Sequence, residues 1–187
     1  MSYRIGIGLL IDAPFYNNIR SLELEIAGAT KNSAGLRQPP HVTVKRTFEV
    51  DSIADITKCA EIMGMVAKKY NSIPLSFQGI ANFHKKVMYM QVAPSSPLRR
   101  MHKDLLTALE LKFSNARSTL EADEMVFHTT LAMELSSEQF GIARQIADAL
   151  PTDATNFTAT AQRIGLFLGI DDNTHWIVLS DQKLGLR

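Results

Sequence analysis

Apolar and polar positions alternate along the chain in patterns that predict strands and amphipathic helices. Tyr3 to Ile11 is mostly β-branched or aliphatic and stops at a proline-containing turn, which is typical of a strand. Phe15 to Thr30 carries apolar residues at helical spacing, and the polar loop after it is closed by two prolines. The β-branched segment from His41 to Val50 then predicts a second strand.

Similar elements follow in the rest of the chain. Serines and an aspartate before apolar runs predict capped helices over about 52–70, 98–113 and 137–150. Strands are predicted over 75–80, 87–92 and 127–133, with a closing hairpin of 157–170 and 176–179 around Asp171, Asp172 and Asn173. The acidic stretch from Glu121 to Glu124 is predicted to be a solvated loop.

The order of elements suggests that one unit occurs twice. From Ile5 to His41 is 36 positions, and from Val87 to His128 is 41 positions, with similar elements in between. Two copies are too few for a solenoid, so we expect a single domain over 1–187 made of two intertwined pseudo-repeats, roughly 1–84 and 85–187. Two lobes facing each other across a cleft fit this pattern.

Composition and charge narrow the class of protein. Of 187 residues, 45% are hydrophobic and 21% charged, as in compact globular proteins. The net charge of +1 gives no overall attraction to nucleic acid or membranes, so a polyanionic partner would have to be bound locally.

Cysteine content and the first residues suggest a location for the protein. The lone Cys59 excludes an internal disulfide, and Met1 to Phe15 alternates like a strand, without a basic start or a small-residue cleavage site. We therefore expect a cytoplasmic protein. Its apolar runs are far shorter than the roughly 20 residues of a membrane span, so we expect no membrane partner, and we expect a monomer.

Two His-x-Thr motifs lie at matching places in the apparent repeat. They are His41-Val42-Thr43-Val44 and His128-Thr129-Thr130-Leu131, both inside predicted strands. Because side chains alternate across a strand, His41 shares a face with Thr43, and His128 shares a face with Thr130. One such motif is more often structural than catalytic, whereas two copies at equivalent positions favour a functional site.

Two imidazoles that flank one substrate atom form an acid and base pair. A neutral ring removes a proton from an attacking water, and a protonated ring donates to the leaving oxygen, without a metal or other cofactor. The neighbouring hydroxyls can hydrogen-bond phosphate oxygens. The arrangement suits a phosphodiester, and the sequence alone does not assign the acid and the base.

The paired motifs resemble those of the 2H phosphoesterase superfamily, in particular its 2',5'-RNA ligase-like and cyclic nucleotide phosphodiesterase branch. Pro40 before the first motif and the stretch from Phe77 to Phe83 are also similar. The resemblance implies an α+β, bilobal fold of two pseudo-symmetric lobes, each a small, mostly antiparallel sheet backed by helices, with the active-site cleft between them. By position, His41, Thr43, His128 and Thr130 match the catalytic quartet.

Other residues are weaker candidates for substrate contacts. Lys45 would project on the catalytic face if its strand is regular, and Arg46 would point the other way. Phe83 and Tyr89 are candidates for stacking a base, while Trp176 is expected to have a packing role.

The remaining histidines and the cysteine are interpreted as structural. His84, His102 and His175 have no carboxylate or cysteine partners at zinc spacing, so we predict no metal site. Cys59 is expected to be a buried helix residue without an activated thiolate.

The leading hypothesis is a metal-independent phosphodiesterase that hydrolyses 2',3'-cyclic phosphates of RNA ends or nucleotides, or 2',5' linkages, with ligation as a possible reverse reaction. One alternative is a module that binds RNA or a nucleotide without turnover. Another is an enzyme of the same type acting on a cyclic phosphate metabolite that is not RNA.

Overall fold

Two four-stranded antiparallel sheets form the framework of the protein in a computed structural model that describes residues 2–117, 121, 125–170 and 175–185. The strands are β1 (Tyr3–Leu10), β2 (His41–Val50), β3 (Ile73–Phe83), β4 (Val87–Val92), β5 (His128–Ala132), β6 (Asn156–Ala161), β7 (Arg163–Ile170) and β8 (His175–Lys183). The helices are α1 (Phe15–Thr30), α2 (Ile53–Ala67), α3 (Ser96–Glu110), α4 (Ser137–Ala149) and the short α5 (Thr152–Thr155), with a 3-10 turn at Ala34–Arg37.

The two sheets have corresponding strand orders. The first runs β2-β1-β7-β8 and the second β5-β4-β3-β6, so β2 and β5, which begin with the two motif histidines, occupy equivalent edges. In each sheet the motif strand at the edge pairs antiparallel with the previous strand of that sheet, and one long helix connects the two. The connected elements are β1–α1–β2 in the first sheet and β4–α3–β5 in the second. The predicted α+β architecture of two helix-backed sheets is confirmed.

The chain passes from one sheet to the other twice. β3, at residues 73–83, already belongs to the second sheet, and β7 and β8 return to the first. The segment 157–170, predicted as one strand, divides at Gln162 into β6 and β7, which lie in different sheets. Apolar and polar residues keep alternating through Gln162, so the sequence pattern does not reveal that the chain changes sheets there. The turn predicted at 171–173 lies outside the described residues.

Helix boundaries follow the predicted capping residues. Ser52, Ser95 and Ser136 each accept a hydrogen bond from a backbone N–H in the first turn of α2, α3 and α4. In α4 the side chain of Gln139 also bonds back to the backbone of Ser136, which completes a capping box. No helix of the described residues is long and apolar enough to cross a membrane.

The helices link the two units of the fold. α1, which belongs to the first unit, packs against α4 and β5, and α3 of the second unit packs against α2 and β2. Gly35 permits a close approach at this junction, because a Cβ atom there would lie 2.6 Å from the carbonyl oxygen of Leu131 in β5. Each motif strand is therefore held from behind by a helix of the other unit.

Candidate active site

The edge strands β2 and β5 contact each other and bring the two motif histidines together. His41 begins β2 and His128 begins β5, and both side chains are half-buried. The rings are close enough for the positive charge of His128 to lower the pKa of His41. The structure thus joins two residues that are 87 positions apart in the chain.

The ring of His41 is fixed on three sides. Its Nδ1 lies 2.8 Å from the carbonyl oxygen of Pro39, and its Nε2 lies 3.2 Å from the hydroxyl of Thr43. The ring of Phe167 packs on it with 4.3 Å between centroids. On the neighbouring strand, a Cβ atom at Gly8 would come within 2.6 Å of Cδ2 of His41, so only glycine leaves room for the ring in this position.

His128 has a matching backbone partner and an aromatic surround. Its Nδ1 lies 2.8 Å from the carbonyl oxygen of Val126, two residues earlier in the chain. Pro39 has the same relation to His41. Phe83 meets the ring edge-on at 5.2 Å, and Tyr89 lies 4.9 Å away between centroids. Thr130 is opposite Tyr89 in the β4–β5 register and is half-buried.

The shared backbone contacts define which ring nitrogens face the site. A carbonyl oxygen can only accept, so Nδ1 carries the proton in both rings and Nε2 of the neutral ring is the free base. Burial is the main cause that lowers the pKa of His41 to about 4, opposed by the bond to Pro39. Burial also lowers the pKa of His128, and the charge of Arg46 adds to this effect.

A small cavity of about 110 Å³ adjoins the first motif. Its lining includes Gln38, His41, Thr43, Phe167 and Trp176. Trp176, expected to have a packing role, lies under the guanidinium group of Arg4 at 5.9 Å from the ring centroid. The indole is also half-exposed at the cavity wall, because it lies on the edge strand β8. A lone tryptophan near the end of a sequence offers no signal of this placement.

Lys45 does not present its ammonium group on the catalytic face, contrary to the sequence prediction. The side chain is fully buried, and its Nζ lies 2.8 and 3.0 Å from the two carboxylate oxygens of Glu121. The register of β2 against β1 shifts on both sides of Lys45, so simple alternation fails there. Glu121 is likewise buried and is not part of a solvated loop; residues 122–124 lie outside the described residues.

Arg46 takes the exposed position that was expected for Lys45. Its side chain is exposed, and its charge lies close enough to His128 to lower the pKa of that ring. Arg46 therefore lies near enough to act on the second motif, although regular alternation along β2 predicts that its side chain points away from the catalytic face. The irregularity of β2 at these residues is the reason that alternation is a poor guide here.

Phe83 and Tyr89 form an aromatic pair beside His128. Their rings stack with 4.3 Å between centroids. Tyr89 is only 6% exposed and packs against both Phe83 and His128, so it supports the histidine and has no open face for a base. Phe83 is half-buried and stays a candidate for stacking.

The other histidine and cysteine positions have structural surroundings. His102 is buried, with Nδ1 2.7 Å from the carbonyl oxygen of Val44, and burial raises the pKa of the Cys59 thiol to about 12. Within the described ranges, no group of three or more histidine, cysteine, aspartate or glutamate side chains is placed to hold a metal ion.

Comparison with known proteins identifies the family. The model of the 2'-5' RNA ligase superfamily matches residues 12–172 of the chain. The protein belongs to this superfamily. The predicted membership of the 2H phosphoesterase superfamily is thereby confirmed.

Individual relatives of this superfamily member are distant. A protein of Geobacillus kaustophilus named "Putative phosphoesterase" is 26% identical over 144 residues, 75% of each chain. A protein of the same description from Oceanobacillus iheyensis is 26% identical over 149 residues, 79% of this chain and 81% of the relative. The crystal structure of Escherichia coli LigT complexed with 3'-AMP covers 100% of both chains with a TM-score of 0.69 at 13% identity, a likeness of fold.

Proposed function

We propose that this protein is a metal-independent phosphodiesterase that hydrolyses 2',3'-cyclic phosphates of RNA ends or nucleotides. The observation that carries the proposal is the matched placement of His41 and His128. Each is the first residue of an edge strand, each donates Nδ1–H to the carbonyl two residues earlier, and each has a threonine two residues later. Two imidazoles so oriented can act on opposite sides of one phosphorus atom.

In the proposed reaction one neutral imidazole accepts a proton at Nε2 from a water molecule whose oxygen attacks phosphorus. A new P–O bond forms as the bond from phosphorus to the ribose 3' oxygen breaks. The second imidazole, protonated, donates its Nε2 proton to that leaving oxygen, which gives a 2'-phosphate and a 3'-hydroxyl. The geometry is equivalent for both histidines, so either can serve as acid or base.

The two threonines hold the reacting group. At rest the hydroxyl of Thr43 donates to Nε2 of His41, 3.2 Å away, because Nδ1 of that ring is already bonded to Pro39. When a phosphate enters, this hydroxyl turns to a non-bridging oxygen and frees Nε2 for the water. On the other side Thr130, two residues after His128, offers its hydroxyl to another non-bridging oxygen. Both hydroxyls stabilise the negative charge that develops on these oxygens.

The comparisons support a nucleotide as the kind of ligand. The family is one of RNA ligases and phosphoesterases, and LigT, which shares the fold, was crystallised with 3'-AMP. The small cavity beside His41 and Thr43 has room for a phosphate group rather than a whole nucleotide. The nucleoside would then extend along the cleft towards Trp176 or Phe83.

Substitution of each motif histidine tests the proposal. His41→Ala and His128→Ala should each lower kcat/KM for 2',3'-cyclic nucleotides by about 100-fold or more, as expected for loss of a general acid or base. The matched control is His84→Asn, which changes an exposed histidine at the β3–β4 turn, where φ is +51° and asparagine is well tolerated.

The same assay separates the proposal from its alternatives. A chelator should leave the rate unchanged, and inactivation by chelator would contradict a metal-independent reaction. Hydrolysis that persists in both alanine variants would also contradict the mechanism. Tight binding of a 2'-phosphorylated product without hydrolysis of cyclic nucleotides, 2',5'-linked oligomers or cyclic-phosphate-ended RNA would instead identify a binding module.

A further inference from the structure

The strand that carries the first motif contains two extra residues next to the site. In the β1–β2 register Ile5 is opposite Phe48, Ile7 is opposite Lys45 and Gly8 is opposite Thr43. Three steps along β1 therefore correspond to five steps along β2. Bulges of this kind change the direction of side chains, and here they bury Lys45 and expose Arg46.

A buried ion pair holds the backbone of Arg46 from both sides. The Arg46 amide nitrogen lies 2.5 Å from Oε1 of Glu121, and its carbonyl oxygen accepts a hydrogen bond from Nζ of Lys45 at 2.6 Å. His102 bonds to the carbonyl oxygen of Val44 just before the bulge. Burying an ion pair costs free energy of desolvation. The Lys45–Glu121 pair is therefore better explained by the positioning of the Arg46 backbone than by a gain in stability of the fold.

The guanidinium group of Arg46 is left available to a ligand. It is exposed, and it makes no hydrogen bond or ion pair within the described part of the chain. Some other exposed or half-exposed arginines are engaged, as Arg37 is with Glu134 and Arg163 with Asp181. Arg99 and Arg100 on α3 are exposed without such a partner among the described residues, but they are not held on a motif strand. A fork of N–H donors held by a rigid backbone suits a phosphate or carboxylate.

The charge of Arg46 makes the two sides of the site different. The fifth residue after His41 is Arg46, whereas the fifth residue after His128 is Met133. Arg46 also lies three positions beyond Thr43 along β2, and so beyond the group that the first motif would hold. Its position suits a second anionic group on one side of the reacting phosphate.

We infer that Arg46 binds a second phosphate of the substrate, next to the one that reacts. The inference rests on the proposed function and narrows its substrate class. A substrate with a neighbouring phosphodiester or phosphate, such as the cyclic-phosphate end of an oligonucleotide, is preferred over a mononucleoside cyclic phosphate. Lys45 and Glu121 act as positioning residues for Arg46.

Kinetics with two substrates test this assignment. Arg46→Gln should raise KM about 10- to 100-fold for a dinucleotide that ends in a 2',3'-cyclic phosphate, the size expected for loss of a charge-assisted hydrogen bond. With the mononucleoside cyclic phosphate, which has no second phosphate, KM should change by less than about threefold. Any change in kcat should be the same for both substrates, because the charge of Arg46 also lowers the pKa of His128. Arg46→Lys should recover part of the KM loss, and Arg100→Gln, at an exposed arginine of α3, serves as the matched control. Equal increases of KM on both substrates, or no increase on either, would overturn the inference.

Equilibrium binding separates failure of this inference from failure of the proposed reaction. Calorimetry would compare a nucleoside 2',5'-bisphosphate with a nucleoside 2'-monophosphate, the phosphate position of the proposed product. Tighter binding of the bisphosphate by the wild-type protein, with the preference abolished in Arg46→Gln, supports the second phosphate site even if no cyclic phosphate is hydrolysed. Equal affinity of the wild-type protein for the two ligands would refute the site even if hydrolysis is observed.

Discussion

At the scale of single residues, the position of His41 depends on a missing side chain. Gly8 lies on β1 beside the ring, and a methyl group there would come within 2.6 Å of His41 Cδ2 and 3.1 Å of the Phe167 ring. Contacts below 3.0 Å force a neighbour to move. The neighbour here is the ring that must direct Nε2 at the substrate, so catalysis should suffer more than folding.

Gly8→Ala is therefore expected to lower kcat of the proposed hydrolysis by about 100-fold, the size of effect that a displacement of about 1 Å can produce. The measurement is steady-state kinetics together with thermal unfolding of the same sample. Gly28→Ala is a matched control, because a Cβ atom at this helical position meets nothing within 4 Å. Unchanged kcat in Gly8→Ala would show that the ring does not need this space.

At the scale of elements, sequence patterns were sufficient for most strands and helices but not for the irregular strand β2. The bounds of α1 and β2 agree with the prediction from periodicity and prolines. The exchange of Lys45 and Arg46 could not be predicted, because a bulge is fixed by long-range partners: Glu121 is 76 positions from Lys45. Local alternation carries no information about such a partner.

For the candidate site, the sequence predicts the motif residues but not the residues around them. His41, Thr43, His128 and Thr130 follow from a repeated motif on predicted strands, and the structure brings the two strands together. The buried place of Lys45 depends on the bulge in β2, and the place of Trp176 beside the cavity depends on the order of strands in the sheet. Neither could be read from local alternation. Where a residue lies because of pairing between strands distant in the chain, the local periodicity of the sequence cannot predict its position.

The buried pair of Lys45 and Glu121 leads to a prediction about β2 as an element. Glu121→Gln leaves the Lys45 ammonium group buried without its counter-charge. Lys45→Met leaves the Glu121 carboxylate buried without its counter-charge. Each single change should lower the free energy of unfolding by about 3 kcal/mol, the usual cost of breaking one side of a buried pair. The double variant should lose much less than the sum, because neither charge remains.

Denaturant unfolding of the four proteins measures this coupling. Lys58→Met and Glu61→Gln, the partners of an exposed ion pair on α2, form the matched control cycle, where a coupling of well below 1 kcal/mol is expected. Additive losses at Lys45 and Glu121 would mean that the two charges do not depend on each other. Activity on the dinucleotide substrate should fall with the single variants, because the Arg46 backbone loses its support.

At the scale of the whole molecule, the two units are interlocked and should unfold together. The helix α1 starts beside β1 of the first sheet yet packs on α4 and β5 of the second unit. It contains Glu23, which is only 1% exposed. Nη1 of Arg20 lies 2.7 Å from Oε2 of Glu23, but no donor among the described residues is aligned to hydrogen-bond this oxygen. A buried carboxylate of α1 is thus poorly compensated.

The stability of the whole fold should consequently depend on pH through Glu23. Burial raises the pKa of this carboxyl to about 8, although the charge of Arg20 opposes the shift. In the unfolded chain the group ionises near its usual pKa of 4.5, so between these two values the folded state binds more protons. The contribution of Glu23 to stability is therefore complete below pH 4.5 and is lost as pH rises towards 8.

Glu23→Gln should be as stable as the wild type near pH 5 and more stable near pH 9. The expected gain at pH 9 is at most on the order of 5 kcal/mol, since folding raises the pKa from 4.5 to about 8 and a difference of one in pKa corresponds to about 1.4 kcal/mol. The difference between the two proteins, taken at each pH from denaturant unfolding, removes the opposite contribution of His41 and His128, whose lowered pKa values favour the folded state as pH rises. Glu25→Gln, at an exposed position of the same helix, should show no such change. The prediction fails if the wild-type protein loses no stability relative to Glu23→Gln between pH 5 and pH 9. Glu23 would then ionise at low cost, and its surroundings would tolerate the charge.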